Sequence, residues 1–140
     1  MGATAAIATF IANTSTRDFP PDRTDKAKKA IADTFAAIIA GAGSEVAEPL
    51  RRSLAAAQAP GPGAILGTGT TAAPETAALV TGTYGHALDY DDVLHIMPAH
   101  PSAVILAALL ASLNGRRVDG RAFIEAYLLG IEVGGNIGIG

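Results

Sequence analysis

The sequence contains no cysteine and no tryptophan, and aromatic residues make up only 5% of it. Without cysteine there is neither a disulfide framework nor a thiolate metal site. That fits a reducing compartment, and the cytoplasm is the expected location. Charge is also sparse: charged residues are 16% of the chain and the formal net charge is -3. Such a chain carries no electrostatic footprint for nucleic acid or for an anionic membrane, so neither is an expected partner. The mildly apolar N-terminus has no basic segment ahead of it, which argues against a secretory leader, and Ala6 stands where myristoylation wants Ser or Thr. The longest apolar run, residues 103–113, falls well short of the ~20 residues a membrane span requires.

What the chain does have is apolar bulk. Hydrophobic residues are 49% of its 140 positions, too many for disorder and more than one small domain readily buries. One domain is expected, acting as a piece of a larger fold or within an oligomer. The lysines Lys26, Lys28 and Lys29 and the pairs Arg51-Arg52 and Arg116-Arg117 read as solvated helix faces.

The periodicity predicts an all-α fold of about six helices, with no βαβ alternation. A short helix near 4–11 is followed by a turn-rich linker ending in Pro20-Pro21. Asp22 then caps a helix that buries Ala27, Ala30, Ile31, Thr34, Phe35, Ile38 and Ile39 and ends at Gly41. Ser44 is a candidate N-cap for a third helix carrying Val46, Leu50 and Leu54. After the break at residues 59–63 comes one extended segment at 64–67 and a turn at 68–71.

A fourth helix, opening at Thr71 or Ala72, is expected to turn Leu79, Gly82, Thr83 and His86 inward, with Asp89 close behind. Gly82 and Gly85 clear room for a neighbouring backbone. A fifth helix starts at Pro101, apolar nearly all round, and ends at Asn114-Gly115. Asp119 caps a sixth, with Phe123, Ile124, Tyr127, Leu128 and Ile131 inside and Glu132 at the border.

The chemistry is concentrated between His86 and Ser102, which hold all three histidines together with Asp89, Asp91 and Asp92. Several chemistries fit. Asp and His together can hold a metal ion, as in a metal-dependent hydrolase, although adjacent Asp91 and Asp92 do not easily reach one ion from a helix. Asp-Tyr-Asp-Asp also matches the acid motif of class II terpene cyclases, whose aromatic-lined cavities this composition does not supply. General acid–base work suits a carboxylate beside imidazoles at a helix end. Against all of these stands a solvated or capping loop in a non-catalytic helical module.

The run His86-Ala-Leu-Asp-Tyr-Asp-Asp92, then His100-Pro-Ser, then an apolar helix, resembles the MmgE/PrpD family. Residues 32–41, Ile65-Leu-Gly-Thr-Gly69, 78–82 and Leu129-Gly-Ile-Glu-Val133 are similar to the family's N-terminal part. The resemblance implies a large helical domain with a smaller lid domain that would lie outside this chain, usually in a homodimer. It implies a lyase or isomerase of the 2-methylcitrate dehydratase or cis-aconitate decarboxylase type, acting on a small polycarboxylate without cofactor or metal. It further implies Asp89 and His100 as catalytic residues, with His86, Asp91, Asp92, His95 and Ser102 binding substrate or supporting them. Val93 departs from the Thr common in the family, and the spacing from Asp89 to His100 is a residue longer than in the decarboxylase pattern. The basic residues and second histidine of the family lie beyond the matched segment, so half a site is expected here, inactive without a C-terminal portion.

Overall fold

The computed structural model describes residues 2–55 and 59–139. Among them are six α-helices and one β-hairpin: α1 (Ala3–Asn13), α2 (Pro21–Gly41), α3 (Ala47–Ala55), β1 (Gly63–Ile65), β2 (Thr70–Ala72), α4 (Pro74–His86), α5 (Pro101–Leu113) and α6 (Gly120–Ile139). The fold is predominantly helical, as the periodicity predicts. Three helices begin with Pro at their first position (Pro21, Pro74 and Pro101), where the missing N–H has no intrahelical partner to lose.

Helix α4 is the centre of the packing, touching α2, α3, α5 and both strands. One core cluster gathers Ile38, Ala47, Ile65, Ala72, Ala77, Val80 and Tyr84 between α2, the hairpin and α4. A second joins Ala27 and Ile31 of α2 to Leu106 of α5 and Tyr127 and Leu128 of α6, and Phe35 packs against both. On α2 the buried stripe is Ala27, Ile31, Thr34, Ala37 and Ile38, close to the expected face, although Ile39 stays exposed. Asp22 lies in the first turn of α2 rather than capping it, and pairs with Lys26 at 2.9 Å.

Four expectations are corrected. The residues read as a turn and a helix start form strand β2, paired antiparallel with β1 from Gly63↔Ala72 to Ile65↔Thr70, so α4 begins only at Pro74. Gly67 (φ 85°) and Gly69 (φ 70°) supply the left-handed conformations that close this hairpin. Ser44 caps nothing downstream: its hydroxyl returns to the Gly41 carbonyl at 2.6 Å, and α3 starts at Ala47 with Val46 exposed.

Helix α4 is also rotated from its expected orientation, burying Ala77, Val80, Thr81, Tyr84 and Gly85 while Leu79 is exposed. Two apolar stripes compete on this helix, and the one carrying Tyr84 and Val80 packs into the core with Ile38 and Ile65. Finally, α5 is open on one side, with Val104 exposed, although apolar all round. Asn114 (φ 49°) ends α5 and the Asp119 side chain caps α6 as expected.

By length and composition α6 is able to cross a bilayer, with 20 residues and a mean hydropathy of 1.3, a length the count of unbroken apolar residues did not anticipate. One of its faces is committed to the core through Tyr127 and Leu128.

Close approach is built from small residues. A Cβ on Gly85 would meet the Ala103 Cβ at 3.0 Å and Ile38 at 3.3 Å, and one on Gly82 would meet Ala107 at 3.4 Å, as expected for a seam between α4 and α5. At Gly41 a Cβ would overlap the carbonyl oxygen of Tyr84, which is backbone and cannot rotate away. Gly41→Ala is therefore expected to lower unfolding stability by about 1–3 kcal/mol in urea denaturation. Gly43→Ala, whose Cβ meets only Ala40 at 3.6 Å, is the control expected to change little.

Candidate active site

The last turn of α4 and the first turn of α5 lie side by side because the Gly82–Gly85 surface fits onto Ala103 and Ala107. The chain between them, residues 87–100, has to reverse within that space. Asp89 sits in the left-handed region (φ 55°), tolerated by Asp better than by most residues, with its N–H returning to the His86 carbonyl at 3.1 Å. A turn at 94–97 is closed by the Met97 N–H donating to the Leu94 carbonyl at 3.2 Å, and the Leu94 N–H donates to the Ala99 carbonyl at 3.0 Å. The backbone then enters α5 at the N-cap residue His100.

This path brings His86, Asp89, Asp91 and His100 together, with one potential donor atom from each within 4.8 Å of the others. The hub is Asp91, whose side chain is 0% exposed. His86 Nδ1–H donates to Asp91 Oδ1 at 3.0 Å, and His100 Nδ1 approaches the same oxygen at 3.3 Å. The His100 Nδ1 atom is shut off from solvent and lacks good hydrogen-bond alignment, a contact of the kind that tightens when a ligand closes a site. The two rings are 4.4 Å apart between centroids and inclined at 56°. On the far side of the His100 ring, Asp89 Oδ1 stands 3.8 Å from Nε2, with the Asp89 side chain 79% exposed.

The neighbouring carboxylate points elsewhere. Asp92 accepts the Ser102 backbone N–H at 3.1 Å and its hydroxyl at 2.6 Å, taking over the capping that the side chain of His100 does not perform. Ser102 Oγ also lies 2.6 Å from the Tyr127 hydroxyl. Since Ser102 spends its proton on Asp92, Tyr127 is the donor in that second bond. The chain Tyr127–Ser102–Asp92 thus pins α6, the start of α5 and the loop together. Burial raises the Tyr127 phenol above its ordinary pKa and outweighs the opposing hydrogen bond with Ser102.

His86 is raised above its ordinary value, first by its hydrogen bond to Asp91, then by the charges of Asp91 and Asp89, against a smaller effect of partial burial. Three of the four groups, His86, Asp91 and His100, border a cleft of about 400 Å³ that is also lined by Met97 and Val104 and by Gly130 and Gly134 of α6.

The expected site residues therefore divide. His86, Asp91 and His100 converge on the cleft, and Asp89 is beside them but turned to solvent. His86, expected to face inward, is half exposed. Its helix is anchored by the Tyr84 stripe, which carries the His86 side to the surface. Asp92 and Ser102 are structural, and Ser102 is fully buried with its hydroxyl already shared. His95 is exposed in the 94–97 turn and is not part of the cluster. Tyr127, read from the sequence only as core, is the partner that was missed. The signal was present, since a tyrosine on an apolar stripe needs somewhere to put its hydroxyl.

Comparison with known proteins bears on the family of the chain. The family model described as MmgE/PrpD N-terminal domain matches residues 5–140. A cis-aconitate decarboxylase of Aspergillus terreus (strain NIH 2624 / FGSC A1156) is 29% identical over 142 residues, covering 98% of this chain and 29% of the relative. A cis-aconitate decarboxylase-like protein of Aspergillus oryzae (strain ATCC 42149 / RIB 40) is 26% identical, covering 96% of this chain and 30% of the relative. The chain thus spans under a third of the length of the curated relatives it matches. With the family's domain model covering nearly every residue, the chain belongs to the MmgE/PrpD family, to which it corresponds as the N-terminal domain.

Proposed function

We propose that this chain supplies the acid–base wall of a lyase or isomerase site for a small polycarboxylate of the cis-aconitate or 2-methylcitrate kind, working without a cofactor. The observation that carries the reading is Asp91, a fully buried carboxylate pinned between two imidazoles in the wall of a cleft. A carboxylate behind a histidine fixes its tautomer and stabilises the imidazolium that forms when it takes a proton. His100 is the proton-transfer group: Asp91 faces Nδ1 at 3.3 Å and bonds to it as the site closes, and Nε2 exchanges a proton with the substrate carbon next to a carboxylate. Bond cleavage there loses a leaving group or carbon dioxide. Exposed Asp89, beside Nε2, relays the proton. Catalysis by His100 and Asp89 is what the family resemblance implies, and the distances add Asp91 as the nearer partner of the ring.

The residues bordering the cleft include no Lys or Arg. Cations for the substrate carboxylates are therefore assigned to segments outside this chain, which by itself should turn over neither substrate. In the protein encoded by the full reading frame, His100→Ala should lower kcat on the order of 100-fold or more. Asp91→Asn should lower kcat and displace the pH profile while leaving KM little changed. Full turnover in His100→Ala, measured by product formation from cis-aconitate or 2-methylcitrate, would overturn the assignment.

A divalent-cation site is the second reading, favoured by the four donors lying within 4.8 Å of one another. It predicts stoichiometric metal in the purified protein by elemental analysis, and chelator-sensitive function. Zinc-free protein retaining its activity would exclude it.

His86 also makes stability depend on pH. A histidine whose folded pKa is raised stabilises the fold fully below its unfolded value, 6.5, and loses that contribution as pH rises through the folded value. Replacing His86 by Gln should therefore cost most in denaturation experiments below pH 6.5 and progressively less above it. Equal cost at all pH values would show that the His86–Asp91 bond is not linked to protonation.

A further inference from the structure

A second pocket, of about 540 Å³, lies at the opposite end of α6 from the histidine cluster and shares no bordering residue with the cleft. Three separate elements bring cations to it: Arg17 from the short 3-10 turn at Thr16–Asp18, Lys28 from α2 and Arg121 from the first turn of α6. None of its bordering residues is acidic, in a chain whose net charge is -3. The Arg17 and Arg121 residues are both exposed. Lys28 has only an exposed surface pair with Asp25 at 3.2 Å, which an incoming anion can replace at little cost. Asp18 accepts the Ser15 N–H at 2.7 Å, and Asp22 pairs with Lys26 at 2.9 Å. Phe19 and Ile124 make one wall apolar, and the Thr24 residue adds a hydroxyl.

Like charges converging on one concavity repel each other unless an anion joins them. Two planar guanidinium forks beside an ammonium group suit a ligand with at least two carboxylate or phosphate groups, and the apolar wall suits its carbon skeleton. The geometry points to a binding site for a small organic polyanion at Arg17, Lys28 and Arg121, separate from the acid–base cleft. This site stands independently of the reaction assigned to the cleft. The lysine group of α2, which by sequence is a solvated face, contributes its Lys28 to it.

The test titrates the ¹⁵N-labelled chain with tricarballylate, with inorganic pyrophosphate and with acetate, following amide and Arg side-chain signals. Tricarballylate should shift Arg17, Lys28 and Arg121 saturably. Arg17→Gln combined with Arg121→Gln should weaken it by about tenfold or more, and His100→Ala should leave it unchanged. Both arginines are exposed, so the double variant should fold, which its own spectrum checks. Saturation by pyrophosphate alone would support the site and assign it to phosphates. No saturable shift, equal shifts with acetate at matched ionic strength, shifts confined to His86 and His100, or binding unaffected by the double variant would each overturn it.

Discussion

The structure depends on how closely α4 and α5 approach. Gly82 and Gly85 on one helix face Ala103 and Ala107 on the other: a Cβ at Gly82 would just touch Ala107 at 3.4 Å, and one at Gly85 would crowd Ala103 at 3.0 Å. The seam holds the end of one helix against the start of the next, so that rings fourteen residues apart in sequence meet with centroids 4.4 Å apart. A larger residue at Gly85 would press at once on Ala103 across the seam and on Ile38 of the first core cluster. The seam is in turn held by Tyr84, which anchors α4 against α2 and the hairpin, and by Gly41, which lets α2 rest on the Tyr84 carbonyl. Packing of small residues thus precedes, physically, any chemistry at the cleft.

Within that frame two adjacent carboxylates do different work. Asp91 faces the imidazoles in a nearly water-free position, where a carboxylate interacts with them more strongly than at the surface. Asp92 faces the other way and satisfies one of the N-terminal backbone donors of α5, the Ser102 N–H. Its hydrogen-bonded chain to Ser102 and Tyr127 fixes where α5 starts, and therefore where His100 stands. The positioning of the reactive ring is shared between a carboxylate that touches it and one that does not.

Much of this was legible in the residues. The stripe on α2, the Pro101 start of α5, its ending at Asn114 and the Asp119 cap are local signals, and local signals survive folding. The Gly82–Gly85 seam was legible because glycine in a helix has few other reasons to be there. Strand β2 was not, because Thr70–Ala72 is too short to show an alternation and is ordered only by pairing with β1. The rotation of α4 was not legible either. Its two stripes differ little in pattern, and the choice belongs to the neighbours that cover Val80 and Tyr84. The cluster residues were identifiable by type and spacing, but the division of labour between Asp91 and Asp92 was not. A one-residue step in a loop reverses the direction a side chain faces, and only the path of the whole 87–100 segment decides it.

That reversal limits how the loop can change length. Between His86 and Asp92 every position is counted: the αL turn at Asp89, the inward carboxylate and the outward one follow without slack. At the other end, Ala99, His100 and Ser102 are equally committed. An insertion or deletion in either stretch would exchange the carboxylate that meets the imidazoles with the one that holds the helix. Only the stretch bridged by Leu94 and Ala99, with His95 and Ile96 turned to solvent, can absorb an extra residue without altering either register. Differences in spacing between Asp89 and His100 among relatives should therefore gather at that tip, while the two ends evolve only by substitution.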